Sequence, residues 1–109
     1  MVLILNYVFF RPDQANDVGK RFIEWTKDNP PDKTLSKNLC ICVKSTEGGD
    51  IVAIGIDEVM KGKVEEVLKL TTTQDLFLAS KIEGLKYKTE ICLNFLEAYK
   101  IIGMTAPQL

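Results

Sequence analysis

The chemically most unusual residue of this chain is Asn6, a lone amide inside the apolar run VLILNYVFF at Val2–Phe10. An apolar strand offers an amide few partners, and a buried polar side chain needs one. One interpretation is that Asn6 orients a ligand in a pocket that combines apolar walls with few polar groups. Tyr7, Trp25 and Tyr87 would then line this ligand-binding site. The alternative is that the amide bonds a neighbouring backbone or the same residue of a dimer mate.

Three cysteine thiols are the next groups that could do chemistry. Cys40 and Cys42 share one face of a predicted strand, and Cys92 lies on another strand. A thiolate metal site or an intersubunit disulfide is one interpretation. We favour free cysteines that act as small hydrophobes, because a structural zinc site uses about four ligands. The chain has no histidine, which excludes Ser–His and Cys–His nucleophilic pairs and histidine-based metal sites. We predict no metal and no cofactor.

Two acidic pairs complete the inventory of reactive groups. Asp57 and Glu58 follow an apolar strand, and Glu65 and Glu66 stand near the start of a predicted helix. Paired carboxylates can do acid–base work. Here they fit a strand end and a solvated first helical turn, where acids complement the helix dipole. The sequence therefore assigns no catalytic residue.

Charge and length limit the possible partners and locations. Fourteen basic residues oppose fifteen acidic ones, for a net charge of −1, so no general attraction to nucleic acid is expected. The apolar first ten residues lack a basic leader segment and a small-residue cleavage site. They are also much shorter than the roughly 20 apolar residues of a membrane-spanning helix. We expect a buried strand, no membrane association and, with reduced thiols, a cytoplasmic protein.

The elements that must position these residues follow the order β-α-β-β-α-β in a single domain over residues 1–109. The centre of the chain is a hairpin at Asn38–Glu58, whose Gly48-Gly49 turn supplies the positive-φ residues of a tight return. The other predicted elements are a strand at Val2–Phe10, a helix at about Gln14–Lys27, a second helical stretch beginning near residues 59–63 and closed by Gly84, a strand at Leu85–Leu93, and a short helix to Ile102.

Helix boundaries rest on specific signals. Asp13 is the predicted N-cap of the first helix, and Asn94 opens the last helix with a capping box. Three β-branched threonines, Thr71 to Thr73, disfavour a helix interior. They predict a kink or two helices there.

Hydrophobic patterning predicts the order of the strands. The first and third strands are apolar on both faces, which is typical of central strands, whereas the second and fourth carry polar residues on one face. These properties fit a ferredoxin-like four-stranded antiparallel sheet of order 4-1-3-2. Both main helices then pack on one face and leave an apolar face open. Such a patch usually marks an interface, so we predict a homodimer joined sheet to sheet.

On element order, apolar faces and the trailing short helix, the chain resembles the dimeric α/β-barrel group of ferredoxin-like proteins over about residues 2–102. That group includes cofactor-independent oxygenases, muconolactone isomerases, haem-handling enzymes and ligand-binding regulator domains. The absence of histidine argues against haem chemistry. We expect a homodimeric, non-enzymatic module that binds a small apolar or amphipathic ligand, or another protein, in or beside the dimer barrel, and a purely structural role, with the face filled by dimerisation alone, is a further interpretation. The alternative is a cofactor-independent monooxygenase or isomerase acting on a hydrophobic substrate in the dimer barrel.

Overall fold

A computed structural model describes residues 1–109 and confirms the predicted α+β architecture. The elements run in the order β1, α1, β2, β3, α2, β4, α3, with a single 3-10 turn at Pro12–Gln14 before α1. Their bounds are β1 Val2–Phe10, α1 Ala15–Asp28, β2 Ser36–Ser45, β3 Ile51–Val59, α2 Val64–Ala79, β4 Lys86–Leu93 and α3 Phe95–Ile101.

The sheet has the order β2-β3-β1-β4, and every neighbouring pair is antiparallel. This is the predicted 4-1-3-2 order read from the other edge. The two strands that are apolar on both faces, β1 and β3, form the centre. The register places Tyr7 between Ile54 of β3 and Lys88 of β4, and a bulge interrupts β2 between Asn38 and Cys40.

The helices cover one side of the sheet, which we call the helix face, and the core there forms two separate apolar clusters. One contains Val8, Phe10, Val18, Leu78 and Ile82. The other contains Ile4, Val59 and Val67. Even-numbered residues of β1 therefore point towards the helices, and odd-numbered residues point to the opposite side, because side chains alternate along a strand.

Two local predictions about the helices are wrong. Asp13 does not cap α1, because the chain first makes a 3-10 turn in which the Arg11 backbone N–H donates to Gln14 Oε1 at 3.0 Å. The two separate helices that were one expectation at the threonine run are not formed, because α2 is continuous across it. Thr73 Oγ1 donates to the Lys69 carbonyl oxygen at 2.7 Å, so this hydroxyl is satisfied within the helix. The predicted cap of α3 is confirmed, since Asn94 Oδ1 accepts from the Glu97 backbone N–H at 2.8 Å.

The protein buries little of itself for its size. Only 11 of 109 residues are buried, and the accessible surface is 7570 Å². A compact monomer of 12.3 kDa would expose about 6,100 Å². The radius of gyration is 15.5 Å, against about 13 Å for a compact chain of this length. The single chain therefore leaves an unusually large surface open to solvent.

Candidate functional site

Three polar side chains meet between the sheet and α2. Asn6 Nδ2 donates to Asp75 Oδ1 at 2.8 Å, and Thr89 Oγ1 donates to Asn6 Oδ1 at 3.2 Å. The register explains the meeting, because Asn6 and Thr89 lie directly opposite each other on β1 and β4. We call Asn6, Asp75 and Thr89 the polar triad. It gives the lone amide of β1 both a donor and an acceptor within its own chain.

Asp75 is the most constrained member of the triad. Its side chain has 0% of its surface exposed, and its second carboxylate oxygen, Oδ2, has no hydrogen-bond partner. Burial raises the pKa of Asp75 from 3.8 to about 6, although the hydrogen bond from Asn6 opposes the shift. Loss of hydration disfavours the charged form, and one neutral donor does not compensate for it. The carboxyl group can therefore change its protonation state near neutral pH inside the folded protein.

The position of the triad explains why the core is divided. On β1, Asn6 lies between Ile4 of one apolar cluster and Val8 of the other. Asp75 precedes Leu78 by one helical turn on α2. A polar layer thus separates the two apolar clusters. Because Asp75 is fully enclosed, this layer acts on stability and helix packing and offers no surface to a ligand.

The opposite side of the sheet, which we call the open face, carries an apolar centre on which neither α1 nor α2 packs. Val52 is only 2% exposed there, and the other apolar residues of β1 and β3 on this face are half-buried. The register arranges it in four rows across the strands in the order β2, β3, β1 and β4. The rows are Lys37, Glu58, Leu3 and Cys92; Cys40, Ile56, Leu5 and Glu90; Cys42, Ile54, Tyr7 and Lys88; and Lys44, Val52, Phe9 and Lys86. The two central strands supply the apolar residues, and the edges supply the thiols and most of the charges.

Tyr7 lies at the centre of the polar contacts on the open face. Its ring stacks on Phe9 with centroids 6.4 Å apart, and Lys88 Nζ lies 4.6 Å from the ring centroid. Interaction of its hydroxyl with the Glu90 carboxylate is the main cause that raises the pKa of Tyr7. Lys88 and Glu90 are therefore held close to the aromatic centre of this face.

The structure separates the four residues predicted to line a ligand site. Asn6 points to the helix face and bonds Asp75, whereas Tyr7 lies on the open face. Trp25 belongs to α1 and packs on Phe77 of α2 with centroids 5.6 Å apart. Tyr87 lies opposite Val8 and hence on the helix face. Asn6 and Tyr87 share a face with Trp25 above it, but Tyr7 is on the other side of the sheet.

Asp75 is the important residue that our sequence reasoning missed. The predicted apolar stripe of α2 runs through Thr71 and resumes at Ala79, and Asp75 stands four residues from each. A carboxylate at that spacing faces the sheet. A carboxylate on the sheet-facing side of α2 and a lone amide on the central strand β1 together could have predicted the buried pair of Asn6 and Asp75.

All three cysteines lie on the open face, where each is exposed and free. Cys40 and Cys42 lie opposite Ile56 and Ile54 along one edge, and Cys92 lies opposite Leu3 at the other edge. No group of three or more His, Cys, Asp or Glu side chains is arranged to hold a metal ion. No helix has the length and apolar character required to cross a membrane.

Comparisons with known proteins support the fold and nothing finer. No protein-family model matches the chain, and no curated protein matches it. Among solved structures, the de novo designed protein Foldit4 is similar, with a TM-score of 0.55 and 12% identity over 85% of this chain and 97% of that one. The C-terminal domain of the MgtC protein from Mycobacterium tuberculosis matches at a TM-score of 0.49 and 11% identity, covering 83% of this chain and 88% of that one.

Proposed function

We propose that this protein is a non-enzymatic interaction module that forms a homodimer through the open face of its sheet. The observation that carries this proposal is the uncovered apolar centre of that face, built from β1 and β3. Contiguous apolar surface of this kind usually marks an interface. The resemblance to the dimeric α/β-barrel group supports the same arrangement, and three free thiols favour a cytoplasmic location.

The surface area of the chain is consistent with a missing partner. The exposed surface exceeds that of a compact monomer of this mass by about 1,500 Å². A standard interface removes about 800 Å² from each partner. The residues of α3 and those after it also contribute to the excess, and covering the open face with a standard interface would remove about half of it.

A second copy fits the open face better than an acidic or a basic partner would. The face carries both signs of charge, with lysines at its edges and Glu58 and Glu90 among them. The whole chain has a net charge of only −1. A surface that presents both apolar area and both signs of charge can complement itself, as a twofold interface requires.

The test compares one aspartate substitution on each side of the sheet. Ile54 lies at the centre of the open face, and Ile54→Asp would bury an unpaired charge in the interface. We expect this change to cost about 3 kcal/mol or more, which weakens dimerisation at least about 100-fold. Val43→Asp is the matched control, because Val43 is 64% exposed and lies opposite Ala53 on the helix face.

Sedimentation equilibrium at micromolar concentration measures the outcome. We expect wild type and Val43→Asp to be dimers and Ile54→Asp to be a monomer with an unchanged circular dichroism spectrum. A monomeric wild type, or an Ile54→Asp variant that dimerises as wild type does, contradicts the proposal.

A further inference from the structure

We propose that the two sheets of the dimer face each other so that each strand lies over the same strand of the partner and runs in the opposite direction. Cys40 of one protomer then lies opposite Cys42 of its partner. This inference rests on the proposed function, because it assumes that the open faces meet. It goes further by giving the orientation of the two copies and a pair of thiol sites that neither copy contains alone. The positions of charges in the four rows of the open face distinguish the possible orientations.

Only two twofold axes stack one open face squarely on another. Sheets packed face to face keep their strand directions within about 30° of alignment, so the axis lies between the sheets, either along the strands or across them. An axis along the strands places each row opposite the same row of the partner, and it places the β2 edge of one protomer over the β4 edge of the other. An axis across the strands keeps each edge opposite the same edge and reverses the order of the rows.

The axis along the strands gives no charge of the open face an opposite partner. It puts Lys44 opposite the partner's Lys86, twice in each dimer by symmetry. Glu90 then faces the partner's Cys40, and Lys88 faces the partner's Cys42, so neither charge gains an opposite. Like charges placed opposite each other in an interface act against association.

The axis across the strands pairs opposite charges instead. Glu90 faces the partner's Lys88, again twice in each dimer, and Ile54 faces the partner's Ile56. Each axis brings one kind of lysine pair together, Lys44 with the partner's Lys86 or Lys37 with the partner's Lys44. All these lysines lie at corners of the open face, where long side chains can turn to solvent, so the lysine pairs do not distinguish the two axes. Two favourable pairs beside the aromatic centre therefore select the antiparallel arrangement.

This arrangement has a specific consequence for the thiols. Sheets stacked face to face lie about 10 Å apart, whereas a disulfide needs Cα atoms within about 7 Å. Cys40 and the partner's Cys42 therefore face each other across the interface without forming a disulfide. A short bis-maleimide, which forms a thioether with each thiol, can join them. Cys92 lies at the far edge of the sheet, about 14 Å from β2 at about 4.8 Å per strand.

The test uses chains that retain one cysteine each, the other two being replaced by serine. A Cys40-only chain is mixed with a Cys42-only chain, equilibrated and treated with the short bis-maleimide. We expect a cross-linked heterodimer in high yield. A mixture of Cys92-only and Cys40-only chains is the control, and we expect little cross-linking because these thiols would lie at different edges.

The opposite result overturns the orientation. With the axis along the strands, Cys92 lies one row from the partner's Cys40, so the control mixture would cross-link and the first mixture would not. Failure of both mixtures in a chain that sediments as a dimer also overturns the proposal. A wild-type chain that sediments as a monomer is a different result, because it contradicts the proposed function itself.

Charge exchange gives an independent measurement. Lys88→Glu places two acids opposite each other at both pairs, and we expect the dissociation constant to rise about tenfold. The double variant Lys88→Glu with Glu90→Lys restores opposite signs, and we expect it to return to within about threefold of wild type. A double variant as weak as the single variant contradicts the antiparallel pairing.

Discussion

Replacement of Asp75 by asparagine should change the pH dependence of stability in a defined direction. The folded state raises the pKa of Asp75 from 3.8 to about 6, so the folded protein binds this proton more tightly than the unfolded chain does. The contribution of Asp75 to stability is therefore most favourable below about pH 4 and is lost as pH rises through 6. A shift of about two pKa units corresponds to about 3 kcal/mol.

The Asp75→Asn variant removes the charge but keeps the shape of the side chain. The new side-chain carbonyl would still accept the hydrogen bond from Asn6, while the new NH2 group would occupy the position of the unpartnered Oδ2 at a cost of about 1–2 kcal/mol. That cost does not depend on pH. We therefore expect a net stabilisation of about 1–2 kcal/mol at pH 8, and a difference between variant and wild type that changes by about 2.4 kcal/mol between pH 4 and pH 8.

Urea unfolding at a series of pH values and one protein concentration measures this difference. Hydrogen bonds and nearby charges lower the pKa values of Asp13, Asp32 and Glu97, which favours the folded state at higher pH. Because these groups are present in both proteins, their effects cancel in the comparison. A difference that stays constant from pH 4 to pH 8 would refute the account of Asp75.

The matched control for this prediction is Asp57→Asn. Asp57 also accepts a hydrogen bond from an asparagine, Asn38, at 2.9 Å, but this bond is exposed to solvent. We expect the pH profile of the control to follow that of wild type. A control that reproduces the effect of Asp75→Asn would show that burial is not its cause.

Two other substitutions test the packing of the helices on the sheet and on each other. Asn6→Ala leaves Asp75 without its hydrogen-bond donor, so we expect the free energy of unfolding to fall by about 2–4 kcal/mol at pH 8. The loss should be smaller at pH 5, where the carboxyl group is mostly protonated. An equal loss at both pH values in chemical denaturation would contradict the pairing. The guanidinium carbon of Arg21 lies 3.8 Å from the Phe77 ring centroid, and the guanidinium group donates to the Phe77 carbonyl oxygen at 2.7 Å. Arg21→Ala should therefore lower the free energy of unfolding, measured by thermal unfolding, by about 2–3 kcal/mol. A loss below about 0.5 kcal/mol would show that this contact does not hold α1 against α2.

Patterning along the strands was sufficient to predict the sheet. β1 and β3 are apolar on both faces, which is typical of strands at the centre of a sheet, and this periodicity is directly visible in the sequence. The same pattern predicted the uncovered face. The cap of α3 was also predictable, because Asn94 and Glu97 have the spacing of a local motif.

The candidate site was only partly predictable, because its main contact joins residues far apart in the chain. Asn6 was identified as an unusual residue, but Asp75 is 69 residues away and its pairing depends on how α2 lies on the sheet. The threonine run illustrates a different limit. Local propensity disfavours a helix there, yet packing of the flanking residues Val67 and Leu78 on the sheet maintains one continuous helix.

The reactivity of the cysteine thiols tests the central claim most directly, because Cys40, Cys42 and Cys92 all lie on the open face. The wild-type protein can be alkylated at concentrations from nanomolar to tens of micromolar with a maleimide carrying a long polyethylene glycol chain, which is too bulky to enter a dimer interface that admits a short bis-maleimide, and the modified cysteines quantified by mass spectrometry. If the open faces of two copies meet, alkylation of Cys40 and Cys42 will slow as concentration rises, and Ile54→Asp will abolish the protection. If both thiols react equally fast at every concentration, the open face is not the interface.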